Sequence, residues 1–223
     1  MRLELYNIRY GVGAGLSTHL PVPGAGYVLG NNANLERLIE FLQSVAPDIV
    51  GLIEVDTGSI RTRNRNQAEL IAEALGHNSS FETKYGSNSI NQLLPILRKQ
   101  GNAFLAAPTI HNERFHYFDT GIKRLIIDLI DRRPKPVMVG GDFNTFWGQN
   151  EIYLFQKATG LASANVDALP SYPARAPRKE LDFILYQEGI VIEHFEVPDI
   201  QLSDHLPLIC DFHVAASSGT DHT

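Results

Sequence analysis

Gly140-Gly141-Asp142-Phe143-Asn144-Thr145 follows Pro136-Val137-Met138-Val139, an apolar run of the length expected for a buried strand. A strand that runs into Gly-Gly and then carries Asp142 and Asn144 two apart is expected to set both side chains on one face of its end. An acceptor-only carboxylate beside an amide that donates and accepts suits a metal-assisted phosphate site. The same residues also satisfy a plainer reading, an Asx-type turn closing a strand. Both readings stand at this point.

Three other segments repeat the arrangement. Leu3 to Gly11 begins as a short strand with Asn7 at its exit, and Ile49-Val50-Gly51-Leu52-Ile53 ends in Glu54. Leu202-Ser203-Asp204-His205 sets an acid and an imidazole before the apolar run from Leu206. Polar groups at strand ends and turns are where open layered folds carry their ligand sites.

These segments resemble the endonuclease/exonuclease/phosphatase family of divalent-metal phosphoesterases. The resemblance rests on Asn7, on Glu54 after Pro47-Asp48-Ile49-Val50-Gly51-Leu52, on the Gly-Asp-Phe-Asn run, on Leu181-Asp182-Phe183-Ile184 and on Ser203-Asp204-His205. They stand in the family's order over almost the whole chain. The resemblance implies a four-layer αββα sandwich, two packed mixed sheets with outer helices. It implies Mg²⁺, or Mn²⁺ in its place, with Glu54, Asn7 and Asp204 as metal ligands. It assigns Asp142 to the attacking water, Asn144 to the charge that builds on the phosphate, and His205 to the phosphate itself, held protonated by Asp182.

One departure matters as much. Family members carry a further strand and a helix before the Gly-Asp-Asn strand. Here Lys123 to Ile130 reads as a strand, and only Asp131-Arg132-Arg133-Pro134-Lys135 separates it from Pro136. Neither element fits in that gap. An internal deletion is therefore expected, leaving one sheet a strand short. A hairpin between residues 123–130 and 137–141 would close the gap.

The rest of the chain reads more plainly. Leu35, Leu38, Ile39, Leu42 and Val45 recur at helical spacing, with Asn32 or Asn34 as cap and Pro47 as stop. Asn66 to Leu75 is a second helix ending at Gly76, and Glu151 to Lys157 a short third. Strands are expected at 81–85, 101–106, 115–118, 181–185 and 206–214, and Pro170-Ser171-Tyr172-Pro173 as an extended piece. Asn102, with Lys123 or Arg124, is a further candidate for the cleft. One domain is expected over 1–214, with a disordered tail at 215–223.

The composition, 43% hydrophobic and 20% charged over 223 residues, is that of a globular chain with a substantial core. The net charge of -6 disfavours a non-specific nucleic-acid binder, whose affinity rests on Lys and Arg. Arg61, Arg63 and Arg65, Arg98 with Lys99, and Arg132 with Arg133 are local basic clusters that also read as solvated surface. No apolar run reaches the roughly 20 residues of a membrane helix, and Arg2 follows Met1 directly. A cytoplasmic protein is expected, and the single Cys210 reads as a buried thiol. The expected partner is a phosphorylated substrate: a small phosphodiester, a lipid head group or a nucleic acid. Two functions follow: a Mg²⁺-dependent phosphodiesterase, or a weak or silent relative that binds a phosphorylated ligand or protein.

Overall fold

The computed structural model describes residues 1–13, 32–59, 62–83, 99–112, 130, 134–144 and 150–215. The elements that carry the site, among the described residues, are β1 (Arg2–Asn7), α1 (Asn32–Val45), β2 (Ile49–Asp56), α2 (Gln67–Leu75), β3 (Asn78–Thr83), β4 (Gln100–Ala106), β5 (Met138–Asp142), α3 (Asn150–Thr159), β6 (Ala162–Ser163), β7 (Asp182–Tyr186), β8 (Ile190–Glu196) and β9 (Leu208–Val214). One sheet has the order β3-β4-β2-β1-β9-β8, the other β5-β7-β6. β1 and β2 run parallel, and the remaining pairs are antiparallel.

Three apolar clusters explain the layers. Leu38 and Leu42 of α1 and Ile71 of α2 pack on Tyr6, Val50, Leu52 and Leu105, on one face of the larger sheet. The opposite face meets the smaller sheet, where Leu3, Leu5, Leu208 and Cys210 pack against Ile184. Ile152 and Phe155 of α3 then cover the outer face of the smaller sheet through Phe183 and Leu185. The period-2 alternation of β1 and β7 thus feeds two cores at once, and the αββα order follows.

Several boundaries differ from the sequence reading. Asn34 lies inside α1 rather than capping it, and its side chain donates to the carbonyls of Gly11 and Leu202. Asn66 does cap α2, accepting from the N–H of Ala68, and Gly76 ends that helix left-handed at φ 69°. The strand expected at 81–85 lies at Asn78–Thr83, because its partner β4 fixes the register from Ala106 back to Gly101. β6 and β8 were not expected. β8 is an edge strand whose outer residues Glu193, His194 and Glu196 hide its apolar alternation. Ile130, expected at the end of a strand, is helical and buried with Ile152 and Phe155. The expected strands at 115–118 and 123–129, the hairpin built on them, the tail from 216, and Arg61, Arg98, Lys123, Arg124, Arg132 and Arg133 lie outside the described residues. Among the described residues, no helix is long and apolar enough to cross a membrane.

Candidate active site

The inward-facing row of each central strand ends in a polar residue. Leu3, Leu5 and Asn7 follow one another on β1, and Asp182, at the start of β7, shares a row with Ile184. Asp142 pairs directly with Asp182 across β5 and β7. The apolar members of these rows fill the space between the sheets, and the polar ends meet at its rim. The Asn7 amide donates to Asp142 Oδ2 at 3.3 Å. It accepts the Arg9 N–H through its own oxygen at 3.1 Å.

Asp182 and His205, 23 residues apart, form the centre of the site. His205 Nδ1 lies 2.7 Å from Asp182 Oδ2, and both residues are buried. Burial works against a charge on His205, but the hydrogen bond and charge of Asp182, with Asp142 and Asp204 behind it, outweigh that and raise its pKa. The Asp142 carboxyl is also pushed above its ordinary range, by burial first and then by the charge of Asp182, against the hydrogen bonds from Asn144 and Asn7. The pairing expected between Asp182 and His205 is therefore present in the fold.

Asn144 does not share a strand face with Asp142. β5 ends at Asp142, and Asn144 adopts φ 45° with its N–H donating to Asp142 Oδ1 at 2.9 Å. The plainer Asx turn is real, and it leaves the Asn144 side chain exposed at the same rim. Glu54 departs from the sequence reading in a similar way. β2 continues through it to Asp56, with a register shift between Leu52 and Val55. Leu52 and Val55 both pack in the helix-side core, so the extra residue stays out of that core, half-buried at φ 57°. Its N–H donates to Asn102 Oδ1 at 3.2 Å. With Arg9 at φ 44°, three non-glycine residues around this rim hold left-handed backbone, a strain of roughly 1–3 kcal/mol each that structures keep where function needs it.

Three contacts carry no signal in the sequence. Ser171 Oγ donates to Asp182 Oδ2 at 2.6 Å from a fully buried position. The Tyr172 ring lies against His205, with centroids 4.8 Å apart. Arg9 Nε sits 3.4 Å from Asp204 Oδ2, so the carboxylate expected as a metal ligand is engaged by a cation. The segment 170–173 reads only as extended. That a buried Asp182 requires donors is the one clue, and it does not say which.

The residues also fit a divalent cation. Asp182 Oδ1 is buried without a hydrogen-bond partner among the described residues, an arrangement that costs free energy unless a cation, water or proton meets it. Asp142, Asp182 and His205 each bring a ligand atom within 4.8 Å of the others. The two carboxylates suit Mg²⁺ or Mn²⁺ better than a soft metal. Asn7 lies one hydrogen bond away, and Glu54 follows the residue that pairs with Asn7 in the β1–β2 ladder.

Comparison with known proteins bears on the whole arrangement. Residues 5–205 match the model of the "Endonuclease/Exonuclease/phosphatase family". A UPF0294 protein of Yersinia enterocolitica is 30% identical over 133 residues, which cover 53% of this chain and 50% of that protein. The chain thus spans about half the length of the curated relatives it matches. An endonuclease/exonuclease/phosphatase family protein from Leptotrichia buccalis has a similar structure, with a TM-score of 0.67 at 14% identity over 96% of this chain and 99% of that one. A mannosyl-6-phosphatase from Bacteroides thetaiotaomicron gives 0.61 at 12% identity, over 96% and 99%. At such identities the likeness is one of fold.

Proposed function

This chain belongs to the endonuclease/exonuclease/phosphatase family, and from that premise we propose that it is a phosphodiesterase that works with Mg²⁺ or Mn²⁺. The observation that carries the reading is the buried 2.7 Å pair of Asp182 and His205, with Asp142 directly across the β5–β7 ladder. A histidine held protonated beside two carboxylates is a phosphate-binding cation rather than a free base. Asp142 and Asp182 would hold the cation, with Glu54 and Asn7 as the further oxygen ligands that family membership suggests. Bound there, it would offset charge on the phosphoryl oxygens.

The protein's own groups divide the remaining work. Asp142 accepts the proton of the attacking water. The water oxygen forms the new bond to phosphorus, the P–O ester bond breaks, and its electron pair leaves on the alcohol oxygen, which takes a proton from solvent. His205 binds a phosphoryl oxygen, and the exposed amide of Asn144 donates to another as charge builds there. Asp204, engaged with Arg9, would serve by fixing that cation at the rim rather than as a metal ligand.

The test is hydrolysis of bis(4-nitrophenyl) phosphate by the parent, Asp142→Ala and His205→Ala, each shown to melt cooperatively. A loss of about 10²-fold or more in both variants is expected. Folded parent protein without activity would favour the silent phosphate-binding relative instead.

A further inference from the structure

The turn that follows Asn7 is built from left-handed backbone. Arg9, Tyr10 and Gly11 hold φ of 44°, 56° and 70° in succession. For Arg9 and Tyr10 that conformation persists only where the surrounding structure over-determines it. The site depends on the turn. The Arg9 N–H donates to Asn7 Oδ1 at 3.1 Å, the Asn7 amide donates to Asp142 Oδ2 at 3.3 Å, and Arg9 Nε lies 3.4 Å from Asp204 Oδ2.

Buried amides from the helical layer meet the carbonyls of this turn one after the other. Gln67, the first residue of α2, donates to the Tyr10 carbonyl at 2.9 Å. Asn34 of α1 donates to the Gly11 carbonyl at 3.2 Å. Each amide also reaches a second segment that carries site residues. Gln67 Oε1 accepts the Asp56 N–H at 2.9 Å, two residues after Glu54. Asn34 Nδ2 also donates to the Leu202 carbonyl at 3.0 Å, two residues before Asp204 and three before His205. The end of β2, the turn and the 202–205 segment are thus joined through side chains that lie outside the site. The chemistry explains the residue types. An ionised carboxylate could meet neither carbonyl of the turn, and an ammonium could not meet the Asp56 N–H. Gly11 belongs to the same arrangement, since a Cβ there would stand 2.6 Å from Gln67 Nε2.

We propose that Gln67 and Asn34 are positioning residues. Through the turn at 9–11 they hold Asn7 against Asp142 and Arg9 against Asp204, so that the helical layer sets the geometry of the rim. The inference rests on the phosphoesterase reading for its effect on rate, but not for its effect on the turn, so the two can fail separately.

The test compares Gln67→Met and Asn34→Leu with the parent. Each variant keeps close to the side-chain volume and removes the amide. Hydrogen exchange is followed by NMR at the amides of Arg9, Gly11 and Val12, which are hydrogen-bonded within the turn, and at Phe183 and Ile184 in β7. Exchange in the turn is expected to rise at least about tenfold in each variant, with β7 unchanged. Turnover of bis(4-nitrophenyl) phosphate is measured beside it. A fall in kcat of about tenfold or more is expected, with KM within about threefold of the parent, because a shift of about 1 Å in a positioned group can cost roughly 10²-fold in rate. A merely structural role would raise exchange in the turn and in β7 together and leave the kcat of folded protein unchanged. Asn34→Leu decides the matter if Gln67→Met does not fold. Unaltered exchange in the turn of a folded variant, an equal rise in β7, or an unchanged kcat beside an active parent would overturn the proposal. A parent silent with both ions, with the local rise in exchange intact, would support the positioning and count against the phosphodiesterase reading alone.

Discussion

Asp182 is among the least exposed carboxylates of the protein, and each of its neighbours has a distinct effect on it. Ser171 and His205 both address Oδ2, which leaves Oδ1 turned away with no partner among the described residues. That asymmetry fixes the imidazole and leaves one oxygen that a cation could meet. Asp182→Asn keeps the shape but removes the charge that outweighs burial at His205. We expect the folded variant to lose about 10²-fold or more in kcat/KM, read with bis(4-nitrophenyl) phosphate in Mn²⁺. Unchanged turnover would show the pair to be structural. Ser171→Ala removes a buried donor and leaves Oδ2 with His205 alone. A loss of roughly 1.5–3 kcal/mol in urea unfolding is expected, the net contribution of one hydrogen bond to a charged group. No change in the midpoint would mean that water takes the place of the hydroxyl. At this scale the sequence was legible where a motif named both partners, as for Asp182 and His205. It was silent on Ser171, because a hydroxyl in an extended segment is chemically unremarkable until the fold brings a carboxylate to it.

Strands set which residues meet, and here one buries an acid in its apolar row and another breaks its period. β1 sends Leu3, Leu5 and Asn7 toward the smaller sheet and Glu4 and Tyr6 toward the helices. Glu4 is therefore a fully buried acid with both oxygens unpartnered among the described residues, and burial pushes its carboxyl up to about 8 from an ordinary 4.5. The sign follows from linkage. Below 4.5 the folded and unfolded chains both hold the proton, so Glu4 costs least there. Between 4.5 and about 8 the unfolded chain ionises while the folded one does not, and stability falls with rising pH, by up to the order of 5 kcal/mol. Urea unfolding at pH 5 and pH 8 should show Glu4→Leu gaining most over the parent at pH 8. Parallel loss in both proteins would place the effect elsewhere. The break is the bulge of β2, which keeps Glu54 out of the helix-side core. Apolar alternation reads as far as Leu52 and stops there, so the sequence places a strand end where the strand in fact runs on to Asp56. Asn144 is the same lesson in a turn: a two-residue spacing implies a shared face only while the backbone stays extended, and φ 45° ends that.

Over the described residues the molecule is two unequal sheets between helices, with Asp142, Asp182 and His205 together at one rim. The layers were legible because apolar periodicity separates helices from strands, and the order of five short motifs fixes the family. The edge strand β8 and the two-residue β6 were not, since charge on an open edge and brevity both erase the pattern. A cation at the rim would neutralise repulsion between Asp142 and Asp182, so binding should stabilise the fold. A rise in Tm on adding Mg²⁺ or Mn²⁺ is expected, absent in Asp142→Ala, as for any ligand that binds only the native state. The most direct measurement is nitrophenolate release from bis(4-nitrophenyl) phosphate by protein stripped of metal with a chelator and then titrated with Mg²⁺ or Mn²⁺. The account predicts no release from the stripped protein, saturable recovery with either ion, and no recovery in Asp142→Ala. Turnover that survives stripping, or folded protein that stays inactive with both ions, would contradict it.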